Sequence, residues 1–123
     1  MSDESTMIEI LFSRTFKRQV EDLAKRYRKI KSDLTPIIEQ IQAGELVGDR
    51  ISGTDWLVIK VRLKNSDINK GKSAGYRLIY HPLSPTEVIF LLIYSKSDRS
   101  DITTAEIETV IAEFYDSEPT TPD

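Results

Sequence analysis

Cysteine is absent from this 123-residue chain, which excludes disulfides and thiolate metal sites. Histidine occurs once, as His81, so a histidine-based metal centre is not expected. No apolar run approaches the roughly 18–20 residues that span a bilayer. The opening Ser2-Asp3-Glu4-Ser5-Thr6 is polar and acidic and does not read as a secretory signal. The expectation is a cytoplasmic protein with no membrane partner. Glycine and proline stand at five each, and no internal repeat is visible. Length and composition predict one globular domain. Its expected bounds are 7–115, between a disordered N-terminus at 1–6 and a disordered acidic tail at 116–123.

Positive charge is scarce overall, with 17 Lys and Arg against 20 Asp and Glu, but it is not spread evenly. Every basic residue lies between Arg14 and Arg99. Residues 14–31 hold eight bases against two acids, and 50–99 hold nine against four. Residues 100–123 hold seven acids and no base. Local potential, rather than net charge, steers a ligand, so an anionic partner remains compatible with a net charge of −3.

The pattern of residues predicts the order β-α-α-β-β-β-α, an α+β fold with a mainly antiparallel sheet. Met7–Phe12 favours a strand, and Ser13 is placed to cap a helix. Phe16, Val20, Leu23, Ala24, Tyr27 and Ile30 recur at helical spacing, opposite a face of Lys17, Arg18, Lys25 and Arg28. A second helix is expected to start near Asp33 or Thr35, with Pro36 in its first turn, and to end at Gly44. The two helices read as an αα-hairpin. Glu45 to Asp55 reads as an irregular connection.

Trp56–Leu63 then alternates, with Lys60, Arg62 and Lys64 on one face and Ile59, Val61 and Leu63 on the other. Tyr76–His81 is the next strand, with Pro82 and Pro85 expected to bracket a turn. Glu87–Ser95 is apolar throughout, as a strand buried on both faces would be. Thr103 and Glu106 have capping-box spacing ahead of Ile107, Val110, Ile111 and Phe114.

Several short motifs carry less than they suggest. Gly71-Lys72-Ser73 lacks the earlier glycine of a phosphate loop, since that position is Ser66, and it precedes a strand rather than a helix. His81 reads as a surface or edge residue. Asp98 and Asp101 read as turn formers and helix-start charges. The cations are more telling. Lys60 and Arg62 share a face, Arg77 lies on the following strand, and Lys96 ends the one after. If those strands are neighbours, all four converge on one patch.

Lys72-Ser73-Ala74-Gly75 running into Tyr76-Arg77-Leu78-Ile79-Tyr80, then Ile93-Tyr94-Ser95-Lys96-Ser97-Asp98 and Asp101-Ile102, resembles the RelE/ParE superfamily of bacterial toxins. The likeness is greatest to RelE- and HigB-like members, and the element order is similar to theirs. The resemblance implies the toxin of a type II toxin–antitoxin pair, an mRNA endonuclease acting on the ribosome with no metal or other cofactor. In that chemistry a 2′-hydroxyl attacks the adjacent phosphate and leaves a cyclic phosphate. Arg77, Lys60 and Lys96 are the catalytic candidates implied. Arg62, Lys64, Lys70, Lys72, Tyr94 and Arg99 are the candidate RNA and phosphate ligands.

The implied partners are a cognate antitoxin, the ribosome and mRNA, with operator DNA reached only through the antitoxin. Three positions depart from the RelE pattern. Ser97 stands where RelE has an arginine, Thr103 where it has a tyrosine, and Val58 where it has a second sheet lysine. Tyr94 and Arg99 are the candidates to take over from the first two. These losses keep two alternatives open: a ParE-like inhibitor of DNA gyrase without catalysis, and a regulatory module acting in an antitoxin–DNA complex.

Overall fold

The computed structural model describes residues 7–68 and 74–117. Its elements in chain order are β1 (Glu9–Phe12), α1 (Arg14–Ala24), α2 (Ile30–Gln42), β2 (Asp49–Arg50), β3 (Ile59–Leu63), β4 (Tyr76–Ser84), β5 (Glu87–Ser95) and α3 (Thr104–Ser117). The strands form one sheet in the order β1-β5-β4-β3-β2. Among the described residues, only β1 and β5 run parallel; every other neighbouring pair is antiparallel. This is the expected α+β class.

Strand alternation divides the core into two layers. On one face Ile59, Leu63, Tyr76, Leu78, Tyr80, Phe90 and Ile93 pack against Phe16, Val20 and Leu23 of α1 and Ile30, Leu34, Ile37 and Ile41 of α2. On the other, Val58, Ile79, Ile89, Leu91, Leu92 and Tyr94 pack against Ile107, Val110 and Ile111 of α3. Full burial of one such aliphatic side chain is worth about 1.5–3 kcal/mol, so both layers are well supplied. The register between β4 and β5 shifts beyond the Ile79–Leu92 pair, where Tyr80 meets Phe90. Leu91 is the extra residue, and the bulge lets Leu91 and Leu92 both serve the α3 layer.

Helix starts are set by identifiable contacts. Ser13 caps α1: its hydroxyl accepts from the Phe16 amide at 2.9 Å and donates to the Leu91 carbonyl at 2.7 Å. The expected capping box forms at α3, where the Thr103 hydroxyl accepts from the Glu106 amide and the Glu106 carboxylate accepts from the Thr103 amide, both at 3.1 Å. The hairpin of α1 and α2 is present as expected.

Several boundaries differ from the sequence reading. α1 ends at Ala24, and α2 begins at Ile30, because the Asp67 carboxylate takes the Lys29 amide at 3.0 Å and fixes the turn between them. Pro36 therefore stands in the second turn, on the exposed side of α2. The expected loop from Glu45 contains the two-residue strand β2, paired with Ile59 and Lys60. β3 starts at Ile59, since Trp56 leaves the sheet to stack on Tyr115 with ring centroids 5.3 Å apart. β4 continues through Pro82, which pairs with Val88 beside a second register shift.

His81 is a buried residue of β4, not a surface one. Its Nδ1 meets the Leu57 carbonyl at 2.6 Å and its Nε2 the Tyr115 hydroxyl at 3.3 Å. α3 takes in Asp116 and Ser117, which the sequence reading gave to the tail. The segments read as disordered, 1–6 and 118–123, lie outside the described residues, as do Lys70 and Lys72.

Candidate functional site

The three strands β3, β4 and β5 are neighbours, so the cations that sequence alternation puts on one face do meet. Arg77 pairs across the sheet with Arg62 on one side and Tyr94 on the other. The next row on that face is Lys60, Ile79 and Leu92. α3 covers Ile79, Leu92 and Tyr94, and Arg62 and Arg77 border this covered layer. Lys96 continues β5 on the same parity, its amide bonded to the Gly75 carbonyl at 2.9 Å. Two arginines directly opposite each other weaken a sheet.

Within the row the side chains differ in access. Arg77 is only 6% exposed and its Nη1 donates to the Tyr76 carbonyl at 3.3 Å, so it supplies charge from beneath the surface. Arg62 is exposed, and Lys60 is one-third exposed at its side chain. Tyr94 is buried with its hydroxyl 3.5 Å from Asp101, and the Arg99 guanidinium lies 5.7 Å above its ring. Burial, then the Asp101 charge, raises the Tyr94 pKa, so its phenol is a hydrogen-bond donor at the site.

The segment joining β5 to α3 folds back over these groups. Lys60 Nζ lies 3.4 Å from the Asp101 carboxylate, and the Lys96 ammonium donates to the Ser100 carbonyl at 2.6 Å. Arg99 donates from Nε to the Asp101 carbonyl at 3.0 Å and holds Glu106 through both of its terminal nitrogens, at 3.2 and 2.8 Å. That bidentate pair raises the Arg99 pKa and lowers that of Glu106. The Ile102 amide, followed by Lys60, holds Asp101 below the ordinary carboxylate range. What results is a patch of fixed positive charge, bounded by a hydroxyl donor, on a rigid sheet. Chemically it can hold a phosphodiester and stabilise added negative charge on it.

A family model described as RelE toxin of RelE / RelB toxin-antitoxin system matches residues 13–116. The chain belongs to the RelE toxin family. It is therefore a toxin of a toxin–antitoxin system, and the family implies an antitoxin partner. No curated protein matches the chain. Among the described residues, no group of three or more His, Asp and Glu side chains is placed to hold a metal ion, and no helix is long and apolar enough to cross a membrane.

Of the site residues named from sequence, Lys60, Arg62, Arg77, Tyr94, Lys96 and Arg99 come together on this face of the RelE-family fold. Lys64 is exposed past the end of β3, where it lines a cleft with Arg62, Ser32, Asp33 and Ser66. Asp101 is the residue that sequence reasoning passed over as a turn former. Its closeness to Lys60 depends on a separation of 41 residues, and nothing local signals it. The departures from the RelE pattern all have structural occupations here. Val58 is fully buried beneath α3, Thr103 caps that helix, and the Ser97 amide closes a turn onto the Ser95 hydroxyl at 3.2 Å.

Proposed function

We propose that this toxin is a cytoplasmic, ribosome-dependent mRNA endonuclease that cuts by attack of a 2′-hydroxyl on the adjacent phosphate, independently of metal. The observation that carries this reading is the cross-strand row Arg62–Arg77–Tyr94 with Lys60 and Lys96 at its rim. A phosphate seated there meets Arg62 directly, with Arg77 and the Tyr94 hydroxyl beneath it, an arrangement matched to the charge that builds as the fifth oxygen joins phosphorus. The 2′-O–P bond forms as the bond to the 5′-oxygen breaks. The 2′-hydroxyl proton passes to water, and the Lys60 ammonium supplies the proton that the leaving oxygen needs.

The exposed Lys17, Arg18, Lys25 and Arg28 belong to the helical hairpin, whose apolar side packs on the other face of the sheet, and Arg18 also lines a cleft with Glu113 and Asp116 of α3. Two cationic surfaces facing apart suit a protein placed between two RNA segments, with mRNA on the sheet and ribosomal RNA on the hairpin.

Induction of the wild type beside Arg77→Ala, with primer extension on translated mRNA, tests the assignment. Wild type is expected to arrest growth and give discrete mRNA ends, and Arg77→Ala to cut at least about 10²-fold more slowly, the usual scale for losing a group that stabilises the transition state. Equal arrest by both with intact mRNA would remove the proposed site. A ParE-like gyrase inhibitor is the second reading. It is favoured by the structural occupations of Val58, Ser97 and Thr103, which leave a binding face with fewer chemical groups. Unchanged supercoiling by gyrase at high toxin excess would exclude it.

A further inference from the structure

We infer that Asp101 is an internal competitor for the RNA phosphate, seated on the site in the free protein and displaced when RNA enters. The inference rests on the nuclease reading above. One Asp101 carboxylate oxygen lies against three donors: the Lys60 ammonium at 3.4 Å, the Tyr94 hydroxyl at 3.5 Å and the Ile102 amide at 2.8 Å. A hydroxyl, an ammonium and a backbone amide converging on one anionic oxygen are what a phosphate oxygen would find in the same place.

The other charged groups facing this position are Arg62 and Arg77 in the neighbouring sheet row, Lys96 at the end of β5, and Arg99, which is turned toward Glu106 of α3. Among the described residues, Asp101 is the carboxylate that meets Lys60, since Glu106 is committed to Arg99 and to the α3 cap.

Two features make Asp101 an occupant rather than a proton acceptor. Its carboxylate is held ionised, which makes it a weak base near neutral pH. Its side chain is 68% exposed, and its two contacts outside its own segment are long. Exposed ion pairs of this kind are weak, so a polyanion bringing several phosphate contacts can displace it. Glu106 differs, because the helix cap pins it. The free protein thus keeps Lys60 covered by a removable charge.

Binding of a short oligoribonucleotide, 2′-deoxy at the scissile position so that it cannot be cut, reads this directly by fluorescence anisotropy. Asp101→Asn keeps the side chain's shape and its contact with the Ile102 amide. It is expected to bind about two- to fivefold tighter than wild type at low salt, with the gain shrinking as salt rises. In a Lys60→Ala background the same substitution is expected to give little or no gain, because the group competed for is gone.

Cleavage of unmodified mRNA on translating ribosomes supplies the second readout. A rate for Asp101→Asn equal to or above wild type agrees with the inference, whereas a loss of about 10²-fold or more would make Asp101 the general base and overturn it. Unchanged binding by Asp101→Asn, or the same gain with and without Lys60, also overturns it while leaving the nuclease reading in place. Failure of wild type both to bind and to cleave would remove that reading, and the inference with it.

Discussion

Gly75 is the residue on which the alignment of the site depends. A Cβ atom there would lie 2.0 Å from the Leu63 carbonyl oxygen and 3.0 Å from the Asn65 amide, both backbone and unable to move aside cheaply. The bare backbone lets β4 enter the sheet flush with the end of β3, so Arg77 arrives opposite Arg62 two residues later. Gly75→Ala is expected to lower stability by more than about 2 kcal/mol, in the range of substitutions that force a backbone shift. Urea denaturation measures this, and a variant as stable as wild type would contradict the close approach. Val58 has a related place at this scale. The sequence resemblance sets it where RelE has a lysine, yet it is fully buried in the α3 layer, where a charge is costly. Its identity belongs to packing, and the site's charge is carried one row further along the sheet.

α3 is the element that joins packing to the site, because the strap carrying Arg99 and Asp101 runs directly into its cap. Thr103→Ala removes one half of the capping box and is expected to cost about 1 kcal/mol. The loss should show as faster amide hydrogen exchange over the first turns of α3, with β4 and β5 protected as before. Uniform acceleration across the sheet would mean that the cap does not act locally. This box was legible in the sequence because its partners are three residues apart, and β5 because its apolar run has the same bounds as the strand. The start of α2 was not, since it is set by Asp67 reaching the Lys29 amide across 38 residues, while the apolar stripe continues at helical spacing through the turn. Pro82 misled for a similar reason: a local turn signal is overridden where a bulge accommodates a residue with no amide. The site follows the same division. Alternation placed Lys60 and Arg62 on one face, whereas the meeting of Lys60 with Asp101 is a product of topology.

At the scale of the whole molecule the sheet separates an apolar hairpin layer from the α3 layer, and the β5–α3 turn is tied to both. Asp98 forms a bidentate ion pair with Arg26 beyond the end of α1, Asp101 sits at Lys60, and Glu106 holds Arg99. Each of these carboxylates titrates below its ordinary value: Asp98 chiefly through Arg26, Asp101 through the Ile102 amide and then Lys60, and Glu106 through Arg99 and then the Thr103 amide. A depressed folded-state pKa means that the unfolded chain binds more protons in that range, so stability rises with pH there. The contribution is complete above about pH 4–5, the ordinary carboxylate range. It is lost as pH falls through the lower folded-state values. Thermal unfolding from pH 7 to pH 3 should therefore show wild-type Tm falling on the acid side. The triple variant Asp98→Asn, Asp101→Asn, Glu106→Gln should start lower at pH 7 and fall less steeply. Because these pairs are exposed, the difference should narrow in high salt. Parallel Tm curves for the two proteins would show that the strap's ion pairs do not contribute to the pH dependence, and would place the acid sensitivity among the remaining carboxylates.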